Sequence, residues 1–178
     1  LMKRTAQASH LSPWVGRVKK GNPRVGHIYG LGVSGYWGST IEIETAVFPA
    51  REKGKGTIRF NDTAGSMAKD SVATAAAVVR LVTGKDLSDY DLHVNIVGGG
   101  NIDGPSAGAA ITCAIVSALE NIPLRQDWAV TGEISLSGDV KPVGGVMEKA
   151  FGARQAGMKG ILIPAENKAD IDAKTLGI

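Results

Sequence analysis

Asp103-Gly104-Pro105-Ser106-Ala107-Gly108-Ala109-Ala110-Ile111-Thr112-Cys113-Ala114-Ile115 is the stretch that decides how this chain is read. A glycine-rich loop, Val97-Gly98-Gly99-Gly100-Asn101-Ile102, leads into it, and an alternating strand over 92–97 leads into the loop. The apolar run that follows predicts a helix over 105–119. Pro105 suits its first turn, where a missing N–H costs nothing. Ser106 is thereby placed at a helix start, with small neighbours on both sides.

Upstream, strands are expected over 25–33 and 40–48, with Gly35 and Gly38 between them. Arg51 to Gly56 reads as an exposed hairpin tip, and 57–60 as the returning strand. Val72, Ala75, Ala76 and Val79 recur at helical spacing and predict a helix over 65–83. Asp62 to Ser66 offers side-chain N-caps, and Gly84 offers a left-handed stop. Downstream, 127–141 reads as two short strands about Ser137-Gly138-Asp139. A third helix is expected over 145–156, ending near Gly157, then a strand over 159–163. Residues 164–178 read as the start of another helix. This order predicts a mixed-sheet α+β domain with helices packed on strands. Residues 1–22 read as an arm or linker, and 23–178 as one folded domain.

Composition narrows the function. The 178 residues carry a net charge of +3 and a single cysteine, Cys113, which excludes an internal disulfide framework. No apolar stretch approaches the ~20 residues that span a bilayer, and the N-terminus lacks a continuous apolar core of the signal-peptide kind. A cytoplasmic location is expected. Residues 1–41 contain no Asp or Glu but carry Lys3, Arg4, Arg17, Lys19, Lys20 and Arg24. That bias fits a transit peptide or nucleic-acid arm, or more simply a linker with a first strand. With three Phe, three Tyr and three Trp, and no aromatic–basic alternation, nucleic-acid recognition is not supported.

Ser106 and Lys149 carry the richest chemistry. A serine hydroxyl is a poor nucleophile until a base takes its proton. The first turn of a helix presents free N–H groups and a positive dipole end, which favour an adjacent oxyanion. On the third helix the polar stripe is Glu148, Gln155 and Lys159, whereas Lys149 shares a face with Val146 and Ala153. A lysine turned inward loses its charge more readily. An ordinary lysine, with a pKa of about 10.4, is only ~0.4% neutral at pH 8. Each residue also has a purely structural explanation. Small residues after a glycine loop serve helix packing, and a lysine stem can lie buried while its head reaches water. Spacing alone favours that second account of Lys149.

The remaining polar residues offer no rival centre. His10 falls in the arm, His27 opens the first strand, and His93 lies in the strand before the serine loop, best read as a core or hydrogen-bonded histidine. Cys113 reads as a buried small hydrophobe. Three scattered histidines and one cysteine show no metal-ligand spacing.

The chain resembles the proteolytic domain of Lon protease, a Ser–Lys peptidase. The resemblance rests on Asp103-Gly104-Pro105-Ser106-Ala107-Gly108, Thr131-Gly132-Glu133-Ile134-Ser135-Leu136, Pro142-Val143-Gly144-Gly145, Glu148-Lys149 and Ile163-Pro164-Ala165-Glu166-Asn167, in family order and with the family's serine-to-lysine interval. Looser likeness reaches back to Gly30-Leu31 and Ile43-Glu44, so that about residues 25–170 are covered. It implies an α+β, mixed-sheet fold like that of the second domain of ribosomal protein S5. It implies Ser106 as nucleophile, Lys149 as general base and acid, and Thr131 as the hydroxyl that orients the lysine amine. Asp103, Glu44 and Gly104 are implied as supporting residues close to that pair, Asp103 in a segment that switches between productive and blocked arrangements. It further implies unfolded or damaged proteins as substrates, a hexameric ring with inward-facing sites, and no cofactor in this domain.

The chain departs from the commonest family pattern in three places. Val97 to Ile102 replaces a proline-containing stretch, Asn95 stands where many members have a second histidine, and Arg51 to Gly56 runs slightly long. These point to a B-type or an ATP-independent C-type branch. No G-x-x-x-x-G-K-[ST] loop occurs, so ATP and Mg would enter only through an upstream ATPase module. The Leu1-Met2 opening and the Ile178 end read as the bounds of an excised domain. A competing reading makes 98–108 a phosphate cradle of a nucleotide-binding or small-molecule-kinase-like domain, since Gly98, Gly100 and Gly104 approximate a dinucleotide fingerprint. Asp103 would set a negative charge where phosphate belongs, and Pro105 removes a donor.

Overall fold

A computed structural model describes residues 21–61, 65–97 and 104–172. Residues 1–20 of the predicted 1–22 arm, His10 among them, the glycine loop over 98–102 and Asp103 lie outside the described residues. At the centre is a long antiparallel pair, β2 (His27–Ser34) and β3 (Trp37–Pro49), in register from His27 opposite Glu44 to Ser34 opposite Trp37. Gly35 turns the hairpin with φ 62, the left-handed conformation that glycine adopts freely. Short strands β1 (Arg24–Val25) and β6 (Pro123–Leu124) pair beside it.

The chain extends this pair on both sides with parallel crossovers. After β3, residues 51–55 form an exposed turn, but β4 (Ile58–Phe60) does not return beside β3. It pairs in parallel with β5 (Tyr90–Ile96), which itself lies against β3, so 51–56 is not a hairpin tip. The reason is the helix between them: α1 (Ser66–Thr83) must cover the sheet, and a strand–helix–strand unit places its strands parallel. On the other side, β7 (Trp128–Val130) and β10 (Gly160–Leu162) are parallel partners joined through α3 (Val146–Gln155). The sheet order is β10-β7-β2-β3-β5-β4. Between Val130 and α3 the chain makes a separate antiparallel pair, β8 (Glu133–Ile134) and β9 (Val140–Lys141). The region 127–141 therefore holds three strands rather than two, the first absorbed by the main sheet.

Alternation along β2 and β3 divides the core between the sheet's faces. Ile28, Ile43, Val94 and Ile96 meet α1 and α2 (Gly108–Glu120), through Val72, Ala75, Val79, Ala110, Ile111 and Ala114. Tyr29, Leu31 and Ala129 meet Ala153 of α3 and Met158 on the opposite face. The α1 spacing prediction holds, as does Gly84, whose N–H reaches the Arg80 carbonyl at φ 71. The expected side-chain N-cap does not: Gly65 caps α1 without one. The buried reading of Cys113 and the core alternative for His93 are corrected. Cys113 and His93 are exposed, because each points away from the face its element buries. Past Pro164 the expected helix is a 3₁₀ segment, Ala165–Asp170, with 173–178 outside the described residues. Among the described residues no helix is long and apolar enough to cross a membrane.

Candidate active site

Ser106 is held at the start of α2 by the strand beside it. Residues Pro105–Ala107 form a 3₁₀ turn that leads directly into the helix. Gly104 precedes it at φ 133 and ψ 158, a conformation essentially confined to glycine. Beyond the end of β7, Gly132 N–H donates to the Ser106 carbonyl at 3.0 Å, and Ala109 N–H donates to the Gly132 carbonyl at 3.0 Å. A Cβ on Gly132 would lie 2.6 Å from Val140 Cγ1 and 3.3 Å from Ala109 Cβ, so a larger residue would open this ladder.

Lys149 arrives from the other face of the sheet. Its helix, α3, rides directly on the β2–β3 hairpin because the contacts are glycines. A Cβ on Gly38 would overlap the Glu148 carbonyl and lie 2.8 Å from Lys149 Cα, and one on Gly152 would overlap the Gly38 backbone. Gly38 thus belongs to β3 and not to the turn, where sequence reading put it; a close approach between elements leaves no local signal. Val146, Lys149, Ala150 and Ala153 are buried, the inward face expected from their spacing. Lys149 is only 4% exposed.

Thr131 joins the two. Its side chain is fully buried (1% exposed), and its hydroxyl accepts from Lys149 Nζ at 3.2 Å while donating to the Ser106 carbonyl at 3.4 Å. The Lys149 amine is bonded to Thr131 and not to Ser106 itself. Among the described residues no carboxylate pairs with it, and burial alone pushes its pKa below the ordinary lysine value. The snorkelling account of Lys149 is therefore displaced.

Ser106 and Lys149 line one cavity of about 460 Å³. Leu31, Val33 and Ile41 form its apolar wall, Gly104 to Ala107 a second side, and Pro142 to Gly145 the rim before α3. Asn167 fixes that rim: its side chain accepts from Val143 N–H and donates to the Val143 carbonyl, both at 2.9 Å. Gly145, at φ 64, sits where a Cβ would come 2.8 Å from Val33. Glu133 also lines the cavity. It stood inside a quoted motif but was not picked out, since sequence does not say which side of a short strand faces the serine.

Glu44 is not brought there. It lies on β3 opposite His27, where Asn95 donates to its carboxylate at 3.4 Å. His27 is buried and donates from Nε2 to Glu42 at 2.6 Å, and Arg24 approaches the same oxygen at 3.9 Å. The ligand-type atoms of His27, Glu42 and Glu44 fall within 4.8 Å of one another, close enough to share a cation, a grouping that sequence spacing did not reveal. Within it His27 Nε2 and Glu42 Oε1 are paired with each other, whereas His27 Nδ1 is buried without a hydrogen-bond partner.

Comparison with known proteins agrees with this architecture. Residues 14–175 match the Lon protease (S16) C-terminal proteolytic domain. The chain is 43% identical over 169 residues to Lon protease 2 of Bacillus subtilis, covering 88% of this chain and 30% of that protein. It is 41% identical over 155 residues to archaeal Lon protease of Thermoplasma volcanium, covering 83% and 24%, and 40% identical over 156 residues to Lon protease of Erwinia amylovora, covering 84% and 19%. It spans less than a third of the length of these relatives. The helix-start serine and the buried lysine line one cavity, with a threonine hydrogen-bonded between the lysine amine and the serine carbonyl, and the chain belongs to the family of Lon protease C-terminal proteolytic domains.

Proposed function

We propose that the chain is a serine endopeptidase domain in which Ser106 is the nucleophile and Lys149 the general base and acid. One observation carries the reading: a lysine only 4% exposed, its amine without a carboxylate partner among the described residues, is hydrogen-bonded to a threonine that also contacts the serine segment. Burial favours the neutral amine, the form able to accept a proton. Lys149 takes the proton of Ser106 Oγ as that oxygen bonds to the scissile carbonyl carbon. N–H groups of the α2 first turn stabilise the resulting oxyanion. The ammonium then protonates the departing amine, leaving an acyl ester on Ser106. Water, deprotonated by Lys149, releases the acyl product and regenerates both side chains. The transfer needs Oγ and Nζ within about 2.6–3.2 Å, a contact that often tightens only when substrate binds.

Thr131 orients the amine, and Gly104 lets the chain turn into the Ser106 segment. The remaining expectations rest on family membership: unfolded or damaged proteins as substrates, a hexameric ring, a cytoplasmic setting in protein quality control, and a fold like the second domain of ribosomal protein S5. Residues 23–178 act as the proteolytic unit, needing no cofactor; ATP and Mg would act through an ATPase module of the parent. Asp103 supports the pair from the segment before Ser106. The phosphate-cradle alternative finds no support in the family match.

Labelling with a peptide boronate, mapped by mass spectrometry, tests the reading. Ser106 should be tagged, and the tag should vanish in Ser106→Ala and Lys149→Met. Ser106→Ala should retain wild-type stability within about 0.5 kcal/mol yet fail to cleave unfolded casein. Turnover that survives in Ser106→Ala would end the proposal.

A further inference from the structure

Three side chains of metal-ligand type meet on the β2–β3 pair, and none of them lines the Ser106 cavity. His27 on β2 stands directly opposite Glu44 on β3. Glu42, two positions before Glu44, shares its face of the sheet. One ligand atom from each residue lies within 4.8 Å of the other two.

The imidazole sets this grouping apart from a chance cluster of surface acids. His27 is only 2% exposed, and its Nε2 is aimed at Glu42 Oε1, 2.6 Å away. Its Nδ1 is buried with no hydrogen-bond partner. A bond from Nε2 to Glu42 therefore leaves the ring half satisfied. Protonating both nitrogens would add a buried N–H with no acceptor. A buried polar group in that condition calls for a role beyond stability. The residue is also held in place. Gln126, itself buried, donates to the His27 carbonyl at 2.9 Å, and the Tyr29 ring meets the imidazole edge-on, with centroids 5.5 Å apart.

The carboxylates have their own support. Asn95 Nδ2 donates to Glu44 Oε2 at 3.4 Å, and Asn95 Oδ1 accepts from Asn61 Nδ2 at 3.0 Å. Asn61 Oδ1 accepts in turn from the Ile96 N–H at 2.6 Å. Outer partners of this kind orient metal ligands. The competing cation is Arg24, whose guanidinium stays 3.9 Å from Glu42 Oε1 on a side chain 54% exposed. That is beyond hydrogen-bonding distance, so Arg24 can swing into solvent.

We propose that His27, Glu42 and Glu44 bind a first-row transition-metal dication of the zinc type, which staples β2 to β3. One imidazole nitrogen with two carboxylates suits Zn2+, whereas Mg2+ and Ca2+ favour all-oxygen shells. Nε2 and one oxygen from each carboxylate supply three ligands, and water the fourth. Tetrahedral ligands about 2.0–2.2 Å from zinc stand about 3.3 Å apart. The 2.6 Å contact opens toward that spacing and the wider ones close, small movements for carboxylates that are only half-buried. The ion is structural, and no step of the peptidase reading uses it.

Calorimetry and equilibrium dialysis of the 178-residue chain against ZnCl2 test the site. One Zn2+ should bind per chain and raise Tm by about 5–10 °C at a hundredfold excess over Kd. His27→Ala removes a buried ring and risks the fold, so the half-buried carboxylates carry the test. Glu42→Gln and Glu44→Gln should each weaken Zn2+ binding at least about tenfold, and Asn95→Ala about tenfold through the orientation of Glu44. Arg24→Ala should bind Zn2+ as tightly as wild type or more so. Cys113→Ser, His10→Ala and His93→Ala should change nothing, and equal MgCl2 should not compete. X-ray absorption at the zinc edge should show one imidazole, oxygen otherwise, and no sulfur. Unaltered Zn2+ affinity in both glutamine variants, a sulfur ligand, or no Zn2+ retained by the wild type at micromolar concentration would each overturn the site and leave the peptidase reading standing.

Discussion

Replacing Lys149 by methionine should abolish cleavage and at the same time make the domain more stable. The amine is buried, bonded to a single hydroxyl, and unopposed by any carboxylate among the described residues. Buried donors without partners cost about 1–3 kcal/mol, against a loss of ~1 kcal/mol for the one hydrogen bond to Thr131. Methionine fills a similar volume with apolar atoms. The net expectation is a gain of up to about 2 kcal/mol, or up to roughly 4–8 °C in Tm for a domain of this size. The gain must depend on pH. Lys149 has a folded-state pKa below its ordinary value of 10.5. Below the folded pKa the amine is charged in both states and the full penalty is present. As pH rises from there to 10.5 the unfolded chain binds the extra proton, so wild-type stability climbs. The gap between variant and wild type should thus be widest at low pH and close as pH passes 10.5. Urea denaturation at several pH values, beside casein cleavage, measures both halves. A Lys149→Met protein less stable than wild type, or a gap that ignores pH, would show that burial does not penalise this amine, and the case for Lys149 as base would fail.

Further expectations test the neighbouring geometry. For neutral peptides kcat/KM should rise with pH through the lowered Lys149 pKa and then level off; a flat profile from pH 6 to 9, with chemistry rate-limiting, would contradict this. Thr131→Val should lower kcat/KM about tenfold, the worth of one lost hydrogen bond near 1.4 kcal/mol, and Thr131→Ser should restore it; equal rates in all three proteins would deny Thr131 any orienting role. Gly38→Ala should cost ~3 kcal/mol or more through overlap with the α3 backbone. It should also reduce Ser106 labelling even where the fold persists, because Lys149 is pushed from the hairpin; thermal melts and labelling together check this.

Much of the site was legible because its residues sit in strongly local patterns. Ser106 follows a proline at a helix start, and Lys149 shares a helical face with Val146 and Ala153, so a 3.6-residue period was enough to turn it inward. The glycines were the least legible: Gly38 read as a loop residue and Gly152 was not singled out, yet they set how close α3 comes to the sheet. Glu44 was carried to the site by resemblance and lies instead beside His27 and Asn95. Cys113 was read as a buried small hydrophobe and His93 as a core or hydrogen-bonded histidine, yet both are exposed, because which face of an element is covered depends on its partners.

From residues alone came the class of fold, the helices at Ser106 and Lys149, and a helix-start serine and an inward-facing lysine as candidates, whose pairing as nucleophile and base was implied by resemblance. These follow from periodicity and short motifs, which act over a few positions and need no knowledge of distant contacts. Tertiary structure alone decided that β4 pairs with β5 rather than β3, that Thr131 stands between amine and serine segment, that Asn167 holds the cavity rim, and that Glu133 lines the cavity. Each of those depends on strand order, or on how near two backbones approach, and packing across the whole sheet sets both.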